Sequence, residues 1–321
     1  MVKFLKLYEK AGIFILIIAA SIFLAIASPN FRNVDTILGI IMQGSYGAII
    51  AFGMTFAITS GGFDLSVEAV MGLTSVIIAM LIPSLGFAGS IIIAVLASCF
   101  VGFLNGVLIT KLGISPLITT LSMQVILRGA SLIITNGRQV VIAQKSFMSI
   151  GASKAFGFLP MPIIYMAVLF AIFYIILNQT TFGRHVAASG SNEQASKMSG
   201  LNVSLIKTVV YILVAFSASI VGVIRTSQTL IGIPTMAPGF TLNVLTIAIL
   251  GGTSLAGGKG NLVGTLFAGI FISMIYYGLN LLNVQIFYQM LAVGITLLFA
   301  LFIDGLRMKY LETAKIKGIR V

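Results

Sequence analysis

Apolar residues run along this chain in long stretches, broken by short polar or glycine-rich segments. The stretches fall at approximately residues 11–28, 37–58, 67–82, 89–110, 114–135, 160–178, 208–225, 240–251, 261–282 and 287–304. A helix needs about 20 apolar residues to cross a bilayer. The eighth run is short for a complete crossing and the third is marginal; both border glycine-rich stretches. The pattern predicts an all-α, polytopic membrane protein with about ten transmembrane helices. The first run lacks a small-residue cleavage site, so Met1 to Ser28 reads as a span and not as a removed signal.

Composition agrees. Of 321 residues, 59% are hydrophobic and 8% charged, with a mean hydropathy of +1.13. A soluble domain carries about 25% charged residues, so this chain has too little charge to cover a water-facing surface of its size. Residues 1–321 form one transmembrane domain, with no soluble domain, linker or low-complexity tract.

The net charge of +12 sharpens the topology. An even number of spans puts both tails on one side. With the tails inside, the inner segments hold Lys3, Lys6, Lys10, Lys111, Arg184, Lys197, Lys207, Lys259, Arg307, Lys309, Lys315, Lys317 and Arg320. The outer segments hold only Arg32, Arg138, Lys145, Lys154 and Arg225. Basic residues accumulate on the cytoplasmic side, which predicts N-in and C-in. The basic residues flank apolar runs instead of forming a patch, which argues against nucleic acid as a partner.

Two loops are longer than connection requires. The outer one runs from Asn136 to Leu159. The inner one, roughly residues 179–207, is the longest polar stretch. Within it Asn192 is placed to cap a short helix through Glu193, Gln194, Ala195, Ser196, Lys197 and Met198, which Gly200 stops. Ala195 and Met198 would share one side. Two readings compete: a helix that docks into a groove on a cytosolic partner, and a solvated loop with a stray helical turn.

Two glycine motifs stand out. Gly61 and Gly62 open GGFDLSVE, and Gly251, Gly252, Gly257 and Gly258 punctuate GGTSLAGGKG. Both follow an outward-to-inward run and share a GGxxL echo; internal repeat and chance both account for it. The second motif fails the phosphate-loop pattern, because Thr253 stands at its first glycine and Gly260 replaces the hydroxyl residue. Glycine at Gly102/Gly106 and Gly260/Gly264 has the spacing of close helix packing. Asp64 and Glu68 fit an N-cap and first-turn position on a helix starting near Leu65 or Ser66, a place the helix dipole favours for carboxylates. The competing role, a proton relay, calls for an acid near mid-membrane.

Polar residues inside apolar runs are costly. Gln43, Asn105, Gln124, Arg128, Asn243, Tyr276 and Asn280 are the candidates for a translocation pathway, with Gln124 and Arg128 four apart on one helix face. Their amide, hydroxyl and aromatic groups suit a neutral polyhydroxylated solute; interhelical hydrogen bonding accounts for them equally. Cys99 is the sole cysteine and His185 the sole histidine, which argues against a disulfide, a metal site or a catalytic triad.

Several of these motifs together carry a resemblance. Ser28-Pro29-Asn30-Phe31, TSGGFDLSV from Thr59, Leu127-Arg128-Gly129, Thr135-Asn136-Gly137 and FGR from Phe182 are among them. LGGTSLAGGKG from Leu250 and GLNLLNVQIFYQM from Gly278 to Met290 continue it. The chain resembles the membrane permease subunit of bacterial monosaccharide (ribose-type) ABC importers, over nearly its whole length. The resemblance implies a second permease chain, identical or not, and a cytosolic ABC ATPase that binds ATP and Mg. It also implies an extracytoplasmic sugar-binding protein and a place in the bacterial inner membrane. This chain would itself hold no cofactor and catalyse nothing. The segment Asn192 to Gly200 is similar to the EAAxxxG pattern that touches the ATPase, with Gln194 and Ser196 replacing its first and third residues. Departures are Glu68, where the family has Gly, and Thr241 and Asn243, where it has Glu and Asp. The alternative is an ATP-independent secondary carrier for a small polar solute.

Overall fold

A computed structural model describes residues 2–285 and, with interruptions, 287–305, with side chains from Ile13 onward. The chain is an all-α membrane protein. Its helices are α1 (Val2–Ala27), α2 (Val34–Thr59), α3 (Val67–Lys111), α4 (Pro116–Ile134), α5 (Met161–Gln179), α6 (Thr181–Ser191), α7 (Glu193–Met198), α8 (Val203–Thr229), α9 (Phe240–Leu250) and α10 (Leu262–Leu281). Among the described residues, α2, α3, α4, α5, α8 and α10 are long and apolar enough to cross a membrane. The tenth predicted run, 287–304, lies partly outside the described residues, as do the basic residues from Arg307 onward.

The 45-residue α3 is a hairpin. Gly86 takes φ 64 and ψ 178, a conformation open to glycine, and the chain reverses there. The two arms then pair along their length: the Thr74 and Ser98 hydroxyls lie 2.9 Å apart, and Asn105 donates to Ser66 Oγ at 3.2 Å. The predicted runs 67–82 and 89–110 are these two arms.

Helix α2 is the hub. Its residues from Gly44 to Thr59 are buried on every side, as expected of a helix that is apolar all round. The second arm of α3 lies on α8 through Gly102 and Gly106. A Cβ on Gly106 would come within 2.5 Å of Thr208 Cα, and one on Gly102 within 2.5 Å of the Tyr211 carbonyl oxygen. The glycine spacing is therefore a packing seam.

Four expectations are corrected. α8 is longer than the predicted run 208–225, so Arg225 lies inside a helix, over the Tyr46 ring at 5.2 Å, and not in a loop. The inner loop is mostly helix, because α6 fills residues read as irregular. α3 begins at Val67 after Ser66, so Asp64 is not its N-cap. The acids are also deeper than expected: Ser66 is level with Asn105, about 9 Å along the helix from Lys111.

The short eighth run has a structural cause. Strand β2 (Ile231–Gly232) pairs antiparallel with β1 (Val140–Val141) at one end of the bundle. From there an extended segment descends along α3: a Cβ on Gly232 would meet Ala79, and one on Gly72 would meet the Pro234 carbonyl oxygen. Helix α9 starts only at Phe240 and covers the remaining depth, about 16 Å. It is a half-helix.

Candidate functional site

The end of the bundle opposite the strands carries α6 and α7. Asn192 Oδ1 accepts the Ala195 N–H at 2.9 Å, capping α7 as the sequence predicts. Gly200, at φ +81, turns the chain after it. Gln194, Ala195, Lys197 and Met198 are exposed, Met198 to 89%, whereas Ser196 faces inward and is buried. The helix is clamped to the bundle by Glu193, whose carboxylate meets Lys197 Nζ at 2.7 Å and Lys207 Nζ at 2.5 Å. Hydrogen bonds from Lys197 and then Lys207 hold the Glu193 carboxyl below its ordinary value. The helix is short, tied to α8 through Glu193, and leaves an apolar side chain, Met198, exposed at its end.

The two glycine motifs, far apart in sequence, meet beneath this helix. Gly258 N–H donates to the Thr59 carbonyl at 2.8 Å. Gly190, in the last turn of α6, lies between them: a Cβ there would collide with the Thr59 carbonyl and come within 2.8 Å of Gly258 N. Gly61 and Gly257 also pack on Gly190. Gly62 is held against the Tyr211 hydroxyl. Gly251, at the end of α9, packs on the backbone of Gly264 and Thr265, and Gly252 sits beside Asn261.

Asp64 is buried, 1% exposed. Its Oδ1 accepts both the N–H of Ser66 at 2.7 Å and its hydroxyl at 2.6 Å, fixing the turn into α3. Asp64 Oδ2 and Asn105 Oδ1 are buried without a hydrogen-bond partner.

A second polar cluster lies about two residues further along α3. Glu68 Oε1 accepts from Gln124 Nε2 of α4 at 2.6 Å. Its Oε2 accepts from Gly239 N–H at 2.9 Å and from the Thr241 hydroxyl at 3.4 Å, at the start of α9. Glu68 thus lies in the first turn of its own helix and caps another. Gln124, Arg128, Met236 and Pro238 line the same small cavity. Glu68 and Thr241, two of the departures from the family pattern, are neighbours.

The remaining pathway candidates divide. Tyr276 hydroxyl donates to Asn243 Oδ1 at 3.2 Å, an interhelical bond between α10 and α9. Gln43 and Asn280 are exposed and belong to neither cluster. Sequence reasoning missed a cavity of about 510 Å³ at the strand end, lined by Asp35, Met42, Lys154, Phe158 and Gln228 among others. Gln228, near the end of α8 and beyond the predicted run 208–225, bonds Tyr46 and the Gly151 carbonyl.

The chain is thus a bundle of apolar helices with a half-helix, buried polar clusters and a short exposed helix, and its class as a membrane permease is shown by its relatives. Residues 36–301 match the family described as the branched-chain amino acid transport system/permease component, and the chain belongs to that family of ABC transporter permeases. It is 37% identical over 302 residues to the ribose import permease protein of Bacillus subtilis, covering 93% of this chain and 92% of that one. The ribose import permease protein of Haemophilus influenzae is 36% identical over 315 residues, covering 97% and 96%. The L-arabinose transport system permease protein of Escherichia coli is 34% identical over 316 residues, covering 97% and 95%. No solved structure matches the chain.

Proposed function

We propose that this chain is the membrane-spanning subunit of an ATP-driven importer of a monosaccharide, ribose or a related sugar. The observation that carries the reading is similarity to ribose and arabinose permeases over nearly the full length of both chains. The departure of the Glu68 region from the ribose-type pattern leaves pentose and hexose both open.

In this reading ten spans cross a bacterial inner membrane with both tails inside. The α3 hairpin, which makes two spans of one long helix, and the half-helix α9 support that count. The α7 end faces the cytoplasm and the strand end, with its 510 Å³ cavity, faces the binding protein. A second permease chain completes the path. A cytosolic ATPase binds ATP and Mg and grips α7 at Ala195 and Met198. Its closure moves α6, and through Gly190 the two glycine motifs move together. The permease makes no bond to the sugar; it offers weak polar contacts, since tight binding would trap the solute.

The second reading, an ATP-independent carrier, draws on Asp64, a buried acid with one unpartnered oxygen. The two separate in vesicles: the importer reading requires sugar uptake that stops when ATP is withheld. Uptake by this chain alone, without ATP, overturns it. A maleimide reagent that cannot cross the membrane tests orientation in a Cys99→Ala background: Met198→Cys should label only from the cytoplasmic face and Phe156→Cys only from the other.

A further inference from the structure

We propose that Glu68 is the specificity-determining latch of the sugar path, holding a constriction shut by bonds that the hydroxyls of a monosaccharide replace on passage. The inference rests on the importer reading above and assigns the residues that read the solute.

The geometry is that of a clasp. One carboxylate from α3 ties α4, through Gln124 at 2.6 Å, to the head of α9, through Gly239 N–H at 2.9 Å and the Thr241 hydroxyl at 3.4 Å. Glu68, Gln124 and Arg128, with Pro234, Met236 and Pro238, line a small cavity of about 20 Å³. That is room for about one water, far short of the several hundred Å³ that hold a small organic solute. In the proposal this narrow point is the closed constriction, and the Glu68 carboxylate is what ties its walls together.

The cluster also faces something other than lipid. Arg128 is exposed on the side of the chain and lies about 4.5 Å from the midpoint of the 19-residue α4. Glu68 is only half-buried beside it. A carboxylate and a guanidinium at this depth face water or protein, since hydrocarbon would penalise both by several kcal/mol. An aqueous path along α4 satisfies them.

The chemistry fits a sugar. Released from its partners, Glu68 offers two acceptors to hydroxyl hydrogens. Gln124, Arg128 and the N–H groups at the start of α9 offer donors to hydroxyl and ring oxygens. Each bond lost on opening is replaced by one of the same kind to the solute, so passage needs no deep binding well.

The latch is also wired to the docking helix. α9 runs from Glu68 at its first turn to Gly251 at its end, and the loop that follows packs on Gly190 of α6. A displacement of α6 has a rigid half-helix through which to reach the carboxylate.

The test uses the full complex of permease, ATPase and binding protein in vesicles preloaded with labelled ribose, arabinose or glucose. Assembly is checked by co-purification of the ATPase. Without ATP, the Glu68→Ala and Gln124→Ala complexes should leak sugar about tenfold faster than the unmodified one, the change expected when a charge-assisted bond is lost from a closed state. With ATP, Glu68→Gln should shift the ratio of pentose to hexose uptake at least about threefold. Gln124→Ala keeps the cap on α9, so a leak in that variant separates a latch from a structural cap. Assembled variants with unmodified leak and unmodified sugar ratios overturn the latch; if Glu68→Ala fails to assemble, the other two variants decide. Absence of ATP-driven uptake in the unmodified complex overturns the importer reading instead.

Discussion

The backbone N–H of Gly258 donates to the carbonyl of Thr59 at 2.8 Å, joining two glycine motifs nearly two hundred residues apart. Gly190 is wedged against both partners with no room for a side chain. Helix α6, which leads into α7, thus ends on a junction of three backbones: its own, the end of α2 and the segment before α10. Gly190→Ala should pry this junction open. We expect the complex to assemble and hydrolyse ATP while uptake falls at least about tenfold, because a displacement of the contact costs about 1–3 kcal/mol. Uptake and hydrolysis falling in equal proportion would place Gly190 outside the transmission.

Ala195 tests the docking surface itself. It is exposed and its N–H is the capped one, so a longer side chain leaves the α7 cap intact. Ala195→Glu places an unpaired charge in an interface that would otherwise close over a small residue. We expect normal membrane insertion and thermal stability with uptake abolished and the ATPase no longer co-purifying. Retained uptake would contradict docking at α7.

Glu193 gives α7 a pH dependence. Its carboxyl is held below the ordinary 4.5 by Lys197 and Lys207. A depressed carboxyl contributes stability that is fully present above its ordinary value and is lost as pH falls through the lower, folded value. Amide hydrogen exchange over α7, corrected for intrinsic rates, should therefore show constant protection from neutral pH down to about 5 and a decline below 4.5. Glu193→Gln should remove the decline and lower protection at neutral pH. Since Glu193 is partly exposed, its contribution is a modest one.

Asp64 and Asn105 each leave a buried oxygen without a donor. Asp64→Asn keeps the acceptor used by Ser66 and puts an amide NH2 in place of the unpartnered Oδ2. We expect its thermal midpoint in detergent to match or exceed that of the unmodified protein. Asp64→Leu strands both the Ser66 N–H and hydroxyl and should destabilise by about 1–3 kcal/mol for each. A strong loss of stability in Asp64→Asn would mean that the carboxylate charge itself is required there.

What the sequence showed follows from which interactions are local. The Asn192 cap and the Gly200 stop are set by neighbours within a few residues, and both are found where the pattern puts them. The packing role of Gly102 and Gly106 was legible because the spacing alone places both on one helix face. The first-turn position of Glu68 was legible, but its partners Gln124 and Gly239 were not, since the fold brings them to it. The depth of Asp64 and Glu68 escaped notice for a related reason: depth depends on how the α3 arms pair, and Gly86 sets that. α6 was hidden because its small and polar residues, Gly183 and Gly190 among them, break the apolar run, although Thr180 caps it and its apolar residues keep a helical spacing.

The most direct test of the account encloses the permease, its ATPase and its binding protein in vesicles and follows labelled ribose, arabinose and glucose with each component omitted in turn. The account predicts uptake of at least one sugar that needs ATP and all three components, and that ceases in Ala195→Glu. Sugar uptake that proceeds without ATP, or without the ATPase, would contradict it.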